Sequence, residues 1–489
     1  MTKQEAVIKY ITENYLEYNR LRHDVISDKL QLRMEKPTPD PFLKDGGNSA
    51  AHKSFPSGED LGEAVVWREM TKQDINSIVC HCAQEYDTNI TSREVITALQ
   101  SDLIPNVHPL REYILSLRPY TPDQPDWIDM VASQVRISPA PESATDCPKG
   151  LSERTACCQT TMLLDRLYRA DRPTNLTGEA NLTVNEVNGL TSNSSQSERS
   201  KTDRLWRTCF KKWFVAMVAS WMRDEVVNHQ VLVLIGRQGI YKTTWLEHLI
   251  PPHLRAYTCK LANSTDLNKD ERMRIAEFGL ISLDEIDSMN NRELNQLKSI
   301  ITATDVNERA AYAYTKERRI RLASFCASGN RRDFLTDITG NRRWLPFEVE
   351  SILNPFHTIL PYEQLYAQAW ALAQDPLFSY WFDLDEIEVL EEHNQHFRDE
   401  SNEEQLLPIL FDVPAEGRGE FMTTAQISER LVTYGNIKKP MTLSRLGMVL
   451  GTAGYKATKR KIGNTQTRGW IVYQRDTDEI SALRRILKD

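Results

Sequence analysis

Five consecutive apolar residues, Val231 to Ile235, run straight into the stretch "GRQGIYKTTW". An unbroken apolar run of this length reads as a strand buried on both faces, which requires covering elements on either side of a sheet. The stretch behind it has the spacing of a phosphate-gripping loop: Gly236 opens it, and Lys242 and Thr243 stand where a loop lysine and hydroxyl belong. Such a loop works because successive backbone N–H groups curl around phosphate oxygens, the lysine adds a point charge, and the hydroxyl holds Mg²⁺. The second glycine of the pattern is replaced by Tyr241. If that position needs a positive φ, the side chain costs roughly 1–2 kcal/mol. An ordinary strand–turn–helix connection would show the same residues, so the loop alone decides nothing.

Three further elements follow in order. "FGLISLDEID" places Asp284 and Glu285 at the end of an apolar strand, forty-two residues beyond Lys242. One carboxylate there can hold Mg²⁺ and its neighbour can polarise an attacking water for in-line displacement at a γ-phosphate. "RLASFCASGN" is another apolar strand, ending in Asn330, whose amide could orient that water. "TGNRRWLPFEV" brings Arg342 and Arg343, suited to stabilising transition-state charge on a neighbouring subunit's nucleotide. Together these suggest ATP and Mg²⁺ as cofactors, with Gly236, Gly239, Tyr241, Lys242, Thr243 and Thr244 cradling the nucleotide. Thr243 and Asp284 would take the metal; Glu285, Asn330, Arg343 and Arg342 would serve the reaction.

At 489 residues the chain is too long for one core. Apolar runs alternating with helical patterns predict an α/β fold with a parallel-sheet core and helical flanks. We expect a mixed N-terminal accessory domain over 1–137 and a Ser/Thr/Asn/Pro-rich insertion or linker over 138–202. A nucleotide-binding core over 203–350, a helical lid or connector over 351–405 and a terminal unit over 406–489 follow. Ahead of the loop, Phe210, Trp213, Phe214, Met217, Val218, Trp221 and Met222 recur at helical steps and predict one buried face. No apolar run approaches the ~18 residues of a membrane span, and the N-terminus lacks a secretory pattern, so a cytoplasmic location without membrane contact is expected. The eight cysteines show neither disulfide nor zinc-knuckle spacing.

The order of loop, Asp-Glu strand, Asn strand and Arg pair within about 110 residues resembles the ATPase core of superfamily-three helicases of the AAA+ class. The wording "GRQGIYKTT…LDEID…SGNRRDFL…TGNRRW" is closer still to the virulence-associated protein E (VapE-like) family, across roughly residues 100 to 400. The resemblance implies phosphate binding by Lys242, Mg²⁺ at Thr243 and Asp284, water activation by Glu285, a sensor at Asn330 and an arginine finger at Arg343 or Arg342. It also implies a homo-oligomeric ring, hexameric in that superfamily. Such a ring would hydrolyse ATP during replication or mobilisation of phage or mobile-element DNA, with priming left to a separate partner. Tyr241 departs from the family pattern. A nucleotide-gated DNA-binding or scaffold protein with little turnover is the alternative.

Net charge is −8, yet between Arg418 and Arg475 eleven Lys and Arg face two acids, Glu420 and Glu429. A basic module on an acidic chain suits local contact with nucleic acid. Helical patterns near Thr424–Leu431 and Leu443–Leu450, then strands around "YKATKRKI" and "RGWIVY", predict a winged helix, with Lys459, Arg460 and Lys461 along phosphates. In superfamily-three proteins the interval between the acid and Asn strands holds a DNA-gripping hairpin. Lys316, Arg318 and Arg319 occupy it here and would contact DNA, single-stranded by preference.

Overall fold

The computed structural model of the protein describes residues 2–34, 66–139, 193–261, 269–308, 317–335, 341–414, 419–462 and 465–480. The chain opens with helix α1 (Lys3–Ile11), begun by a capping box between Thr2 and Glu5. Strands β1 (Leu21–Asp24), β2 (Lys29–Met34) and β3 (Val66–Glu69), helices α2 (Lys72–Tyr86) and α3 (Ser92–Leu99), and strand β4 (Asn106–Val107) follow. The four strands form one sheet in the order β3-β2-β1-β4. Its apolar residues, among them Val7, Ile11, Leu21, Ile78, Cys82, Val95 and Ile104, make a core of their own. Cys80, His81 and Cys82 are consecutive on α2, so their side chains fan apart around the helix.

Helices α4 (Pro109–Ser116) and α5 (Trp127–Ala132) and strand β5 (Val135–Ile137) belong elsewhere. Leu110, Ile114, Ile128, Val131 and Val135 pack in the core beneath the central sheet, and β5 is that sheet's edge strand. The N-terminal sheet therefore ends with β4, and the segment from α4 to β5 belongs with the central sheet. Most of the 138–202 stretch lies outside the described residues, but its end is the start of the long helix α6 (Asn193–Met222).

Helix α6 carries the apolar face expected of it. Phe210, Trp213, Phe214, Met217, Val218 and Trp221 are at most 1% exposed, while Met222 is half-buried. Indoles buried this deeply need partners for their N–H groups. Trp206 donates to the Ala132 carbonyl, Trp213 to that of Phe325 and Trp221 to that of Gly279, each at 3.0 Å. The helix is thus pinned across the strands at three points.

The central unit continues with β6 (Val231–Ile235), α7 (Lys242–His248), β7 (Thr258–Leu261), α8 (Lys269–Glu277), β8 (Leu280–Leu283) and α9 (Asn291–Thr302). A hairpin of β9 (Asp305–Glu308) and β10 (Glu317–Ile320) precedes β11 (Ser324–Gly329) and β12 (Trp344–Ile352). The six-stranded order is β5-β12-β6-β11-β8-β7. Neighbours from β12 to β7 are parallel; only β5 is antiparallel. β6 shows why the sequence forces this. Leu232 and Leu234 face the α6 side, Val231, Val233 and Ile235 face the core containing Leu294, Leu297 and Ile301, and all five are fully buried.

Just before β11, Arg321 is 1% exposed and meets no carboxylate. Its guanidinium donates to the carbonyls of Ile300, Ile301, Ala303, Asn228 and Ala323. It closes the end of α9 onto the start of β6, and burial pulls its pKa down to about 9.

Helices α10 (Tyr362–Gln374) and α11 (Leu384–Asn394) cover the α6 side. The last unit contains α12 (Asn402–Leu410), β13 (Phe411–Asp412), β14 (Glu420–Met422), α13 (Thr424–Gly435), α14 (Leu443–Thr452), β15 (Lys456–Ile462) and β16 (Thr465–Gln474). β16 pairs antiparallel with β13, β14 and β15, around a core of Ile427, Leu431, Leu446, Leu450, Trp470 and Val472. Gly463 and Asn464, expected as the hairpin's turn, lie outside the described residues.

Candidate functional site

The loop after β6 turns through three residues with positive φ, Gly236, Gly239 and Tyr241. Gly236 has no room for a side chain, since a Cβ would stand 2.7 Å from the Val349 carbonyl oxygen. Gly239 has φ +85°. Tyr241, in the place of the second glycine, does take a left-handed conformation (φ 67°, ψ 17°) as the residue preceding α7. The strain of a non-glycine residue there, about 1–2 kcal/mol, is real in this fold. Its ring is 38% exposed and lies edge-on to Phe356, with centroids 6.4 Å apart.

Lys242 is 7% exposed. Its ammonium folds back into the loop, donating to the carbonyls of Gly236 (2.8 Å) and Arg237 (2.7 Å) and to Asn330 Oδ1 (3.3 Å). Burial lowers its pKa, and the carboxylates of Asp287 and Asp284 pull the other way. The loop lysine, the acid strand tip and the Asn strand tip therefore meet at one place. The register explains it: β11 pairs with β6 on one side and β8 on the other, so all three end at the same edge of the sheet.

Next to the lysine, three oxygens converge. Ser328 Oγ donates to Asp284 Oδ1 at 2.6 Å, Thr243 Oγ1 lies 3.3 Å from the same oxygen, and the two hydroxyls are 3.0 Å apart. Two hydroxyls and a carboxylate form a hard-oxygen donor set of the kind Mg²⁺ takes. Thr243 and Asp284 were expected there; Ser328 was not. Its place as the penultimate residue of β11, under a strand read only for its final asparagine, was the available signal.

Asp287 is the other residue the sequence did not mark. Its side chain is 10% exposed and accepts from the backbone N–H groups of Asn330 and Arg331, both at 3.2 Å. Gly329 leaves room beside it, since a Cβ there would stand 2.9 Å from Asp287 Oδ1 and push that carboxylate aside. Asp287 thus fixes the backbone that aims Asn330 at the lysine. Glu285 is exposed and left-handed (φ 54°, ψ 48°), a second non-glycine strain at the strand tip. Thr244 is half-buried, and its carbonyl accepts from His248 Nδ1 at 2.7 Å.

The remaining residues fall elsewhere. Arg342 and Arg343 form a 3₁₀ turn leading into Trp344, which is paired with Val231 at the start of β6. They stand at the opposite edge of the sheet from their own loop. In the hairpin, Arg318 pairs with Asp305 (2.8 Å), while Arg319 reaches Asp28 (3.3 Å) and Glu277 (3.8 Å) with 19% of its side chain exposed. Arg319 is committed inside the fold, and Lys316 lies outside the described residues. On β15, Lys459, Arg460 and Lys461 are exposed; Lys459 is paired across the hairpin with Arg468, and Arg460 lies over the Phe421 ring. Helix α14 exposes Leu443 and Met448 and carries one basic residue, Arg445, so most of this unit's charge sits off that helix.

A cavity of about 270 Å³ lies toward the other end of α7, between Leu246, His248, Arg255, Cys259 and Leu280. The loop itself is open to solvent, with Arg237, Gln238 and Gly239 exposed. No helix among the described residues is long and apolar enough to cross a membrane.

No curated protein matches the chain. Among solved structures, the apo C-terminal region (305–718) of NrS-1 overlaps with a TM-score of 0.38 and 11% identity, covering 96% of this chain and 100% of that one. An A-form apo structure of the same region gives 0.36 and 12%, covering 94% and 98%. Residues 182–399 match the family described as virulence-associated protein E-like domain. That span holds the loop, both strand-tip acids, the asparagine and the arginine pairs.

Proposed function

We propose that this chain is a nucleic-acid-dependent P-loop ATPase of the AAA+ type. It would work as a homo-oligomeric ring in the replication or mobilisation of phage or mobile-element DNA. The observation that carries the reading is the meeting of Lys242, Thr243, Asp284, Ser328 and Asn330 at the C-terminal edges of three adjacent parallel strands. The strand order, with the Asn strand between the loop strand and the acid strand, supports the class.

In this reading the loop amides and Lys242 hold the phosphates, exchanging the loop carbonyls for phosphate oxygens. Thr243, Asp284 and Ser328 would hold Mg²⁺, which when bound neutralises phosphate charge. Glu285 takes the proton of the attacking water, and Asn330, braced by Asp287, orients that water. Arg343 or Arg342 faces the nucleotide of a neighbouring copy. In the same reading the terminal unit acts as a winged helix, which its order of helices and strands supports, and it contacts DNA phosphates through Lys459, Arg460 and Lys461.

The test is ATP hydrolysis with and without single-stranded DNA. Glu285→Gln should cut the stimulated rate by about 10²–10⁴-fold while keeping nucleotide binding, and Lys242→Ala should remove binding. The strained Tyr241 and the self-bonded Lys242 favour one competing outcome: ATP binding without turnover on any DNA, which makes the protein a nucleotide-gated scaffold.

A further inference from the structure

The oxygens that would take the metal lie on one flank of the loop, toward β11 and β8. Lys242 leans to the same flank through Asn330. A triphosphate whose terminal group sits there must lead its nucleoside away on the other flank, where β12 is the neighbour of β6.

That flank is built of aromatic rings. β12 overshoots the loop by four residues, since Glu348 pairs with Ile235 and the strand continues to Ile352. The chain then turns at Asn354, whose Oδ1 accepts from the Phe356 N–H at 3.0 Å and whose carbonyl accepts from the His357 N–H (3.1 Å) and Thr358 Oγ1 (3.0 Å). This turn holds Phe356 outward, 70% exposed, against Tyr241 and His248. Both contacts are edge-on, at interplanar angles of 81° and 87°. Farther along, Tyr362 donates its hydroxyl proton to the His248 carbonyl at 2.7 Å, fastening the far side of the turn to α7. The phenyl ring is thus held in place at both ends and still leaves most of its surface to solvent.

Resting on the nucleotide reading above, we infer that Phe356, with Tyr241 at its edge, is the platform on which the base of the bound nucleoside triphosphate stacks. The tyrosine that departs from the loop pattern thus supplies a wall of the base site. Stacking reads the flat face of a base and not its hydrogen-bonding edge, so adenine and guanine nucleotides use the platform alike.

Calorimetry on the full chain with Mg·ATP, Mg·GTP and Mg·tripolyphosphate separates the parts. Phe356→Ala should weaken ATP and GTP by about ten-fold or more and leave tripolyphosphate unchanged; Phe356→Trp should restore the nucleotides. Because the ring is exposed, the substitution leaves the core intact. Equal ATP affinity in wild type and Phe356→Ala, with tripolyphosphate still bound, would overturn the platform alone. A wild type that binds neither ATP nor tripolyphosphate removes the nucleotide reading and the platform with it.

Discussion

Two arginine pairs lie ten residues apart in the sequence and at opposite edges of the same sheet. Arg331 and Arg332 leave β11 at the loop edge: the Arg331 N–H donates to Asp287, and Arg332 pairs with Glu348 at the level of the end of β6. Arg342 and Arg343 lead into β12 at the far edge, level with Val231. Five residues of strand, roughly 17 Å, separate the second pair from its own loop. The first pair lies beside its own loop, and the second lies a strand's length away from it. The same tripeptide, "NRR", occurs in both places, and topology alone assigns the difference.

The largest effect that sharpens this comparison is on turnover. Arg343→Ala should lower the ATPase rate of the assembled protein by about 10³-fold, and mixing it with Lys242→Ala should recover activity, because mixed interfaces reunite an intact arginine with an intact lysine. Arg332→Ala should lower the rate less and gain nothing from mixing. The comparison breaks if Arg332→Ala is the variant rescued.

A second effect concerns what holds the far edge together. Arg321→Leu strips five carbonyls of their donor and should cost about 3 kcal/mol, read as a lower urea midpoint, whereas the exposed Arg342→Leu should leave the midpoint in place.

The smallest is a pH effect at the same edge. His393 is half-buried, its Nε2–H donates to the Pro346 carbonyl at 2.7 Å, and desolvation holds its pKa down at about 4. His108 is held at about 4 for the same reason. Each is neutral in the fold and takes a proton near 6.5 once unfolded, so the stability it contributes is complete above that value and drains away as pH falls from 6.5 toward 4. His393→Gln should flatten this acid slope by on the order of 1–3 kcal/mol, measured as the change in Tm between pH 7 and pH 4.5.

The strands legible in the sequence were those buried on both faces. "VLVLI" is β6 itself, and the runs at 278–283 and 321–328 contain β8 and most of β11. β12 escaped because Pro346 sits inside it, and proline argues against a central strand. The fold resolves that conflict locally. β5 pairs only with Val349–Ile352, so the residue sits where β12 has a sheet neighbour on one side, and its carbonyl goes to His393. β7 was hidden because "TCKL" is short and half-exposed. In the site, charged and amide groups stood out, whereas Ser328 and Asp287 acquire meaning only from strand register. Phe356 could not be read at all, since the turn that presents it says nothing about which loop it faces.

His229, beside the start of β6, has its proton affinity lowered by burial and further by Arg321, Arg343 and Arg342. Three guanidiniums therefore act on one imidazole, and no carboxylate is among its influences. Around His229 the neighbouring charges that act on it are all positive. An anion near that imidazole is drawn toward these guanidiniums, and the pull weakens as added salt shortens the distance over which charge is felt.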